Sequence, residues 1–459
     1  MIPSTEFVSQ HIDRFVEELC EFLRIPSIST DPEYLHDVQS AAEWIAEHFE
    51  SIGADDVAVH KTKGHPIVTA QFRARGANAD APTILVYGHY DVQPPDPLEL
   101  WTSPPFEPEV REGRLYARGA CDDKGQLFIH VKAAESYLAA SDGLPVNLTF
   151  ILEGEEESGS ENLRPFLEAH TDLLEADFAL ISDTSMFDEN TPTVTYGLRG
   201  LAYLQVEIQG PARDLHSGVY GGAVENPVSV MARLIAGLHD ERGRVRVPGF
   251  YDRVLDLTEE ERRAFAELPF DAESWLRSIG VSASRTEQGY TVLEATWARP
   301  AIDANGIWGG YQGKGAKTIL PAKAGAKVSA RLVPDQRPAE AAAQIRAYFE
   351  DNAPETVTVS VRELHGGRPF IIDRSSPPIK AAARALAAVF GRKPAFVREG
   401  GTIPVVADVK EVLGIDTVLL GFGLNSDAIH SPDEHFGLDR FRKGIETAVR
   451  FYDEVRRLV

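Results

Sequence analysis

The stretch TILVYGHYD, residues 83–91, decides the fold. Its apolar first half is typical of a strand buried on both faces, as in the parallel sheets of α/β proteins. The stretch ends in His89 and, two residues later, Asp91. Ligands bind beyond the carboxyl ends of strands in such sheets, and Asp91 can orient the imidazole and fix its tautomer. Taken alone, the pair also fits a structural histidine beside a capping aspartate.

The same arrangement recurs along the chain, with an acid or imidazole near the point where a predicted strand runs out. The stretches are LYARGA before Asp122, NLTFILEGEEESGS with Glu157, FALISD with Asp183, and TVLLGFG before the loop of His430. Carboxylates and imidazoles that converge at one edge of a sheet can form a metal site. The sequence therefore predicts a metallohydrolase.

The order of predicted elements indicates two domains. Strands and helices alternate from about residue 56 to 183, which predicts a largely parallel sheet covered by helices. Residues 197–366 instead predict a separate α+β domain, and the helix–strand style returns after residue 367. We therefore predict a discontinuous α/β domain of residues 1–196 and 367–459, interrupted by an inserted domain. This arrangement is required to place His430 with the earlier residues.

Composition limits the possible functions. The chain has 459 residues and a net charge of −24, which argues against nucleic-acid binding because that needs a basic surface. No run of about 18 apolar residues predicts a membrane span, and the N-terminus shows no secretory signal. With only Cys20 and Cys121, a disulfide framework is excluded and a cytoplasmic location is predicted.

Two pairs of adjacent acids carry the predicted chemistry. Asp122 and Asp123 precede a helix, so they fit an N-cap and a first-turn acid, or a carboxylate that bridges two cations. Glu156 and Glu157 lie in the crowded EGEEESGS, where metal ions would offset the repulsion. One of the two could bind metal while the other acts as general base.

Taken together, the motifs resemble those of the M20 metallopeptidase family, in particular the cytosolic nonspecific dipeptidase and carnosinase group. The matching stretches, in order, are VYGHYDVQP, ARGACDDKG, EGEEESGS, LISD, RDLHSGVYGG, GAKTILP, SARLVP, HGGRPF, REGGTIP and AIHSPDE. They cover nearly the whole chain, and the ordered set is far more specific than any one motif. The resemblance implies a zinc-peptidase-like catalytic domain and an inserted lid and dimerisation domain.

The resemblance also implies roles for residues of the catalytic domain. His89, Asp122 and Asp183 would hold one metal ion, and Asp122, Glu157 and His430 would hold a second. Glu156 matches the family's general base, which activates the water between the ions and later protonates the leaving amine. Asp91 matches the acid behind His89, and the Asp122–Asp123 peptide bond would be cis.

In the inserted domain, His216 matches a histidine that reaches the partner subunit's active site to stabilise the oxyanion. Arg331 matches the residue that binds the free carboxylate of the substrate, which a guanidinium does by bidentate hydrogen bonding. Thr318, His365 and Thr402 match further positions that contact substrate.

We therefore predict a homodimeric hydrolase with two divalent ions per subunit that cleaves dipeptides or short peptides with a free C-terminal carboxylate. Zn²⁺ is the predicted ion, and Mn²⁺ and Co²⁺ accept the same ligands. One alternative is an N-acyl-amino-acid amidohydrolase of the deacetylase or desuccinylase type. A second is a catalytically silent scaffold protein.

Overall fold

The computed structural model describes residues 2–458 and separates into two compact units. The first unit comprises Met1–Tyr196, Ile372–Val397 and Asp408–Val459. The second unit comprises Gly197–Ile371 and Arg398–Ala407, a segment that the sequence analysis placed in the first domain. The roles of the second unit as lid and dimerisation domain stay predictions.

The described residues form thirteen α-helices and eighteen strands. The helices are α1 Pro3–Leu23, α2 Leu35–Ser51, α3 Lys124–Ala140, α4 Leu163–Ala169, α5 Ser217–Tyr220, α6 Pro227–Ala236, α7 Glu259–Ala266, α8 Ala272–Ser278, α9 Val292–Trp297, α10 Pro338–Asn352, α11 Pro377–Phe390, α12 Pro404–Asp408 and α13 Leu438–Arg456. The strands are β1 Asp56–His60, β2 Ile67–Phe72, β3 Thr83–His89, β4 Glu109–Arg111, β5 Arg114–Tyr116, β6 Asn147–Glu153, β7 Phe178–Ile181, β8 Thr193–Leu198, β9 Gly200–Gln209, β10 Leu215–His216, β11 Ala301–Gly309, β12 Ile319–Leu320, β13 Lys323–Leu332, β14 Thr358–Gly367, β15 Phe370–Ile371, β16 Ala395–Glu399, β17 Asp416–Leu419 and β18 His435–Gly437.

The central sheet of the first unit has the strand order β1-β2-β6-β3-β7-β17-β8. Its four middle strands, β6, β3, β7 and β17, are parallel neighbours. The pairs β1–β2, β2–β6 and β17–β8 are antiparallel. The predicted α/β class is confirmed, and the sheet is mixed with a parallel centre. Burial of β3, β6 and β7 on both faces explains their continuous apolar runs.

Long helices cover this sheet. Helix α3 is buried from Lys124 to Tyr137 and packs against α1 and α13. Helix α13 buries Phe441, Ile445 and Ala448, positions three or four apart that share one helix face. Within residues 2–458, no helix is both long and apolar enough to cross a membrane.

The parallel strands deliver the predicted site residues to one edge of the sheet. Strand β3 ends at His89, and the short turn Glu156–Ser158 begins three residues after the end of β6. Asp183 lies two residues beyond the end of β7, and His430 lies in the loop between β17 and β18. Because these strands run in the same direction, their carboxyl ends meet.

The second unit contains an antiparallel sheet with the order β11-β13-β9-β14. Helices α6 and α10 pack on this sheet and complete an apolar core that includes Leu204, Met231, Val328 and Phe349. A separate two-stranded ladder pairs β10 with β12. A bulge between Glu363 and His365 interrupts the pairing of β14 with β9.

Candidate metal centre

The structure brings the five predicted ligands together in two groups that share Asp122. One group is His89, Asp122 and Asp183, and the other is Asp122, Glu157 and His430. Within each group the potential ligand atoms lie within 4.8 Å of one another. The Asp122–Asp123 peptide bond is cis. The assignment of these side chains as metal ligands stays a prediction.

The imidazole of His89 is held in one orientation. The residue is fully buried, and Nδ1 lies 3.1 Å from the backbone oxygen of Asp91. That oxygen can only accept a hydrogen bond, so Nδ1 donates and carries the proton. In the neutral ring, Nε2 then carries the lone pair, and this atom lies 3.1 Å from Oδ1 of Asp122. This is the tautomer in which a histidine binds a metal ion through Nε2.

The donor atoms of the site suit divalent cations. Nε2 of His430 lies 3.0 Å from Oδ2 of Asp122 and 3.2 Å from Oε1 of Glu157. Imidazole lone pairs and carboxylate oxygens that face each other at these distances require a cation between them. A proton can serve, and hydrogen bonds to Asp122 and Glu157 raise the pKa of His430 to about 10. A divalent ion with nitrogen and oxygen ligands fits the same positions.

His89 and Asp122 show the same electrostatic coupling. Burial lowers the pKa of His89, but hydrogen bonds to Asp122 and Asp91 raise it, and the net pKa lies well above its usual range. Burial raises the pKa of Asp122, whereas hydrogen bonds from His430 and His89 lower it below its usual range. Asp122 therefore stays ionised although it is enclosed, as a metal-binding carboxylate must.

Glu156 has a different environment from its neighbour Glu157. Burial raises the pKa of Glu156, His89 lowers it, and the carboxylates of Asp183 and Glu157 raise it further. The net pKa lies well above that of an ordinary glutamate. A carboxyl group with a raised pKa can take up and release a proton near neutral pH.

Asp91 connects His89 to the turn that contains Glu156 and Glu157. Its carboxylate is fully buried, and Oδ1 lies 3.4 Å from Nδ1 of His89. The same carboxylate accepts the backbone N–H groups of Glu156 and Glu157 at 3.2 and 3.0 Å. The sequence predicts the contact with His89 but not the two backbone contacts.

Further polar side chains hold the predicted ligands, and of these the sequence analysis named only Asp123. Oδ2 of Asp123 accepts the backbone N–H of His89 at 3.2 Å. Nε2 of Gln93 donates to Oε2 of Glu157 at 2.8 Å. Glu434 accepts backbone N–H groups around Asp122. Asp123, Gln93 and Glu434 all lie inside the quoted family motifs, and this was the signal in the sequence that could have identified them.

Two of the predicted substrate-binding residues are joined in the second unit. Nη1 of Arg331 donates to Oγ1 of Thr402 at 3.1 Å, and this hydroxyl donates to the backbone oxygen of Arg199 at 2.6 Å. The ring of His365 lies edge-on to Tyr203, with 5.1 Å between ring centroids. Arg331 on β13 and His365 on β14 therefore flank the start of β9 on opposite sides.

His216 and Thr318 lie together in the second unit, at the β10–β12 ladder. His216 pairs with Ile319, and the backbone N–H of Ser217 donates to the oxygen of Thr318 at 3.1 Å. His216 is exposed, and its Nδ1 accepts the N–H of Gly218 at 3.0 Å. Nε2 therefore carries the proton in the neutral ring and is available as a donor.

Comparisons with known proteins identify the family of the chain. Residues 85–454 match the model of peptidase family M20/M25/M40. The chain is 32% identical to the Cys-Gly metallodipeptidase of Schizosaccharomyces pombe, over 98% of this chain and 97% of that protein. It is 30% identical to the Beta-Ala-His dipeptidase of Homo sapiens, over 99% of this chain and 92% of that protein.

A solved structure supports the same relationship. The structure of an M20 family metallo-carboxypeptidase from Sulfolobus solfataricus has a TM-score of 0.85 and 31% sequence identity. The match covers 97% of this chain and 99% of that one. The family and its named relatives show that the protein is a hydrolase. The chain belongs to peptidase family M20, so the family resemblance predicted from the motifs is confirmed, and the silent-scaffold alternative is not supported.

Proposed function

We propose that the protein is a dipeptidase that uses two divalent metal ions. His89, Asp122 and Asp183 would hold one ion, and Asp122, Glu157 and His430 the other. The observation that carries the proposal is the position of Asp122, whose two oxygens face two imidazoles at 3.1 and 3.0 Å. When bound, the ions supply Lewis acidity towards the scissile carbonyl and lower the pKa of water. Zn²⁺ is the proposed ion, with Mn²⁺ or Co²⁺ as alternatives.

Glu156 is the proposed general base. Its carboxylate takes a proton from the attacking water and passes it to the nitrogen of the leaving amine. The raised pKa of Glu156 suits both transfers, because the group holds the proton between them. Asp91 positions Glu156 and the predicted ligand His89, because it contacts the backbone of Glu156 and the imidazole of His89.

The proposed substrates are dipeptides with a free C-terminal carboxylate. The names of the two relatives, Cys-Gly metallodipeptidase and Beta-Ala-His dipeptidase, describe such substrates. Arg331 would bind the carboxylate, supported by the hydroxyl of Thr402. Thr318 and His365 are proposed to contact the remainder of the substrate.

His216 is proposed to act on the active site of a partner subunit in a homodimer formed through the second unit. Its Nε2–H is available as a donor, which is what stabilisation of a developing oxyanion requires. A cytoplasmic location is also proposed, because the two cysteines, Cys20 and Cys121, are free.

A substrate panel tests the proposed function. Metal-stripped protein, with Zn²⁺, Mn²⁺ or Co²⁺ added back, is assayed against dipeptides and against N-acetyl and N-succinyl amino acids. Metal-dependent cleavage of the dipeptides is expected. Cleavage confined to the acyl amino acids would instead assign the protein to the amidohydrolases. No turnover with any ion would contradict the proposal.

The role of Glu156 is tested by Glu156→Gln, which keeps the size of the side chain but removes the base. We expect turnover to fall by about 100-fold or more while both metal ions remain bound. Glu161→Gln serves as the matched control, because Glu161 is an exposed acid five residues further on. Wild-type turnover in metal-loaded Glu156→Gln would remove the assignment.

A further inference from the structure

We propose that Glu434 is a positioning residue that holds Asp122 between the two ligand groups. This inference rests on the proposed metal site. Glu434 does not belong to either ligand group. It acts through the backbone of the loop that contains Asp122.

The contacts of Glu434 enclose that loop. Oε1 accepts the backbone N–H groups of Cys121 and Asp122, at 2.9 and 3.0 Å. Oε2 accepts the N–H of Gly119 at 2.9 Å and Nη1 of Arg118 at 2.7 Å. Glu434 is fully buried, so solvent does not compete for these bonds. One side chain therefore fixes three backbone positions of the loop and one guanidinium.

A carboxylate is needed at this position because every partner is a donor. An ionised carboxylate accepts at both oxygens, whereas an amide would turn one NH₂ group towards another donor. Arg118 is itself buried and compensates the charge of Glu434. Removing one member of such a pair leaves the other charge unbalanced, which is strongly destabilising. The buried pair therefore holds the loop in place only while both charges are present.

The same segment also supplies His430. Glu434 lies four residues after His430, and Nε2 of His430 contacts Oδ2 of Asp122 at 3.0 Å. One short segment thus contacts Asp122 twice, once at its backbone and once at its carboxylate. The separation between Asp122 and His430 is consequently set within one local structure. Asp91 does the equivalent for the Glu156–Glu157 turn.

The test compares Glu434→Gln with Asp433→Asn, the adjacent acid. The carboxylate of Asp433 accepts hydrogen bonds from the backbone and hydroxyl of Thr102 and lies 3.6 Å from Arg111, whereas residues 118–122 are not among its partners in the described part of the chain. Binding of Co²⁺ alone is followed by its absorption spectrum, and amide hydrogen exchange is measured without metal. For Glu434→Gln we expect Co²⁺ binding about 10- to 100-fold weaker and faster exchange confined to residues 119–122. Asp433→Asn should match the wild type in both measurements.

The outcomes separate this inference from the proposed function. Wild-type Co²⁺ affinity in folded Glu434→Gln would overturn it, as would exchange that rises equally throughout the central sheet, which indicates a purely structural role. If the wild type binds no Co²⁺, the proposed function fails. Hydrogen exchange then still tests the inference, and unchanged protection of residues 119–122 in Glu434→Gln would overturn it as well. If Glu434→Gln does not fold, Glu434→Asp replaces it, and wild-type affinity in that shorter variant would count against the proposal.

Discussion

Neighbouring acids in this protein differ sharply in protonation because their surroundings differ. Asp122 faces two imidazoles, which hold its pKa below the usual range despite its burial. Burial raises the pKa of the next residue, Asp123, well above the usual range. Charge at the site is therefore concentrated where the imidazoles lie. Two residues of the same type thus have different chemistry one peptide bond apart.

Asp91→Asn tests how strongly the supporting carboxylate matters. An asparagine cannot accept the N–H groups of both Glu156 and Glu157 with two oxygens, and its NH₂ group would face a donor. We expect Zn²⁺ binding to weaken about 10- to 100-fold, measured by competition with a chelator. Asp142→Asn, an exposed acid of the same unit, should retain wild-type binding. Unchanged affinity in folded Asp91→Asn would contradict the expectation.

The residues of the candidate site were predictable where an apolar run leads directly to a polar residue. His89 and Asp183 follow such runs, and the structure places them in one ligand group. Glu434 was not predictable in this way, because it follows Asp433 and the two acids look equivalent in sequence. Only the path of the chain makes Asp433 partly exposed and Glu434 fully buried.

At the scale of single helices and strands, α3 is a buried helix that carries titratable side chains. His130 on this helix is fully buried between Ser182 and Tyr452, and its Nε2 and Nδ1 contact their hydroxyls at 2.7 and 3.2 Å. Burial lowers the pKa of His130 from 6.5 to about 3. The folded protein therefore keeps this imidazole neutral over a pH range in which the unfolded chain protonates it.

This difference predicts a loss of stability in acid. Between pH 6.5 and about 3 the unfolded chain binds one more proton at His130 than the folded protein. The contribution of this residue is present above pH 6.5 and falls by about 1.4 kcal/mol for each pH unit below it. Denaturant midpoints of wild type and His130→Gln, measured between pH 5 and 7.5, should converge as the pH falls. A constant difference for His130→Gln would contradict this prediction.

The close packing around Gly125, at the start of α3, leads to a second prediction. A Cβ on Gly125 would lie 1.9 Å from the backbone oxygen of Ala120 and 3.0 Å from the ring of Phe436. Gly125→Ala must therefore displace the loop that leads to Asp122. We expect a stability loss of about 1–3 kcal/mol and weaker Zn²⁺ binding. Gly306→Ala is the control, because its Cβ would meet no atom within 4 Å in the described residues other than its own chain neighbours.

Elements with a strong apolar period were predictable, and short polar ones were not. Helix α10, Pro338–Asn352, buries Ile345 and Phe349 on one face, and its apolar residues recur with the helical period. The sequence analysis assigned no elements to residues 240–300, where α7, α8 and α9 lie. Helix α7 has a charged sequence and starts with a capping box at Thr258, so its apolar pattern is weak.

On the scale of the whole molecule, the proposed action of His216 on a partner subunit predicts complementation. His216→Ala and Glu156→Gln should each be nearly inactive alone. In a co-expressed mixture, a mixed dimer would contain one site with an intact Glu156 and an intact His216 from the partner. Random pairing then gives roughly a quarter of wild-type activity. No recovery in a mixture that forms dimers would contradict action between subunits.

The order of strands in the sheet was the least predictable feature. The position of His430 far along the chain predicted a discontinuous domain, because that residue matched the earlier ones in its local setting. The location of β17 between β7 and β8 has no local signal, since an apolar run such as TVLL fits several places in a sheet equally well. Tertiary packing alone selects the place.

The position of β17 has a consequence for the way a ribosome must produce this protein. Strands β7 and β8 leave the ribosome long before Asp416–Leu419, and the whole second unit is translated in between. Until β17 arrives, the nascent chain has a gap in the middle of its sheet and lacks His430. The candidate metal centre therefore forms late during synthesis. A ribosome that stalls while translating the second unit would leave an unfinished sheet with exposed edges, which chaperones and proteases recognise.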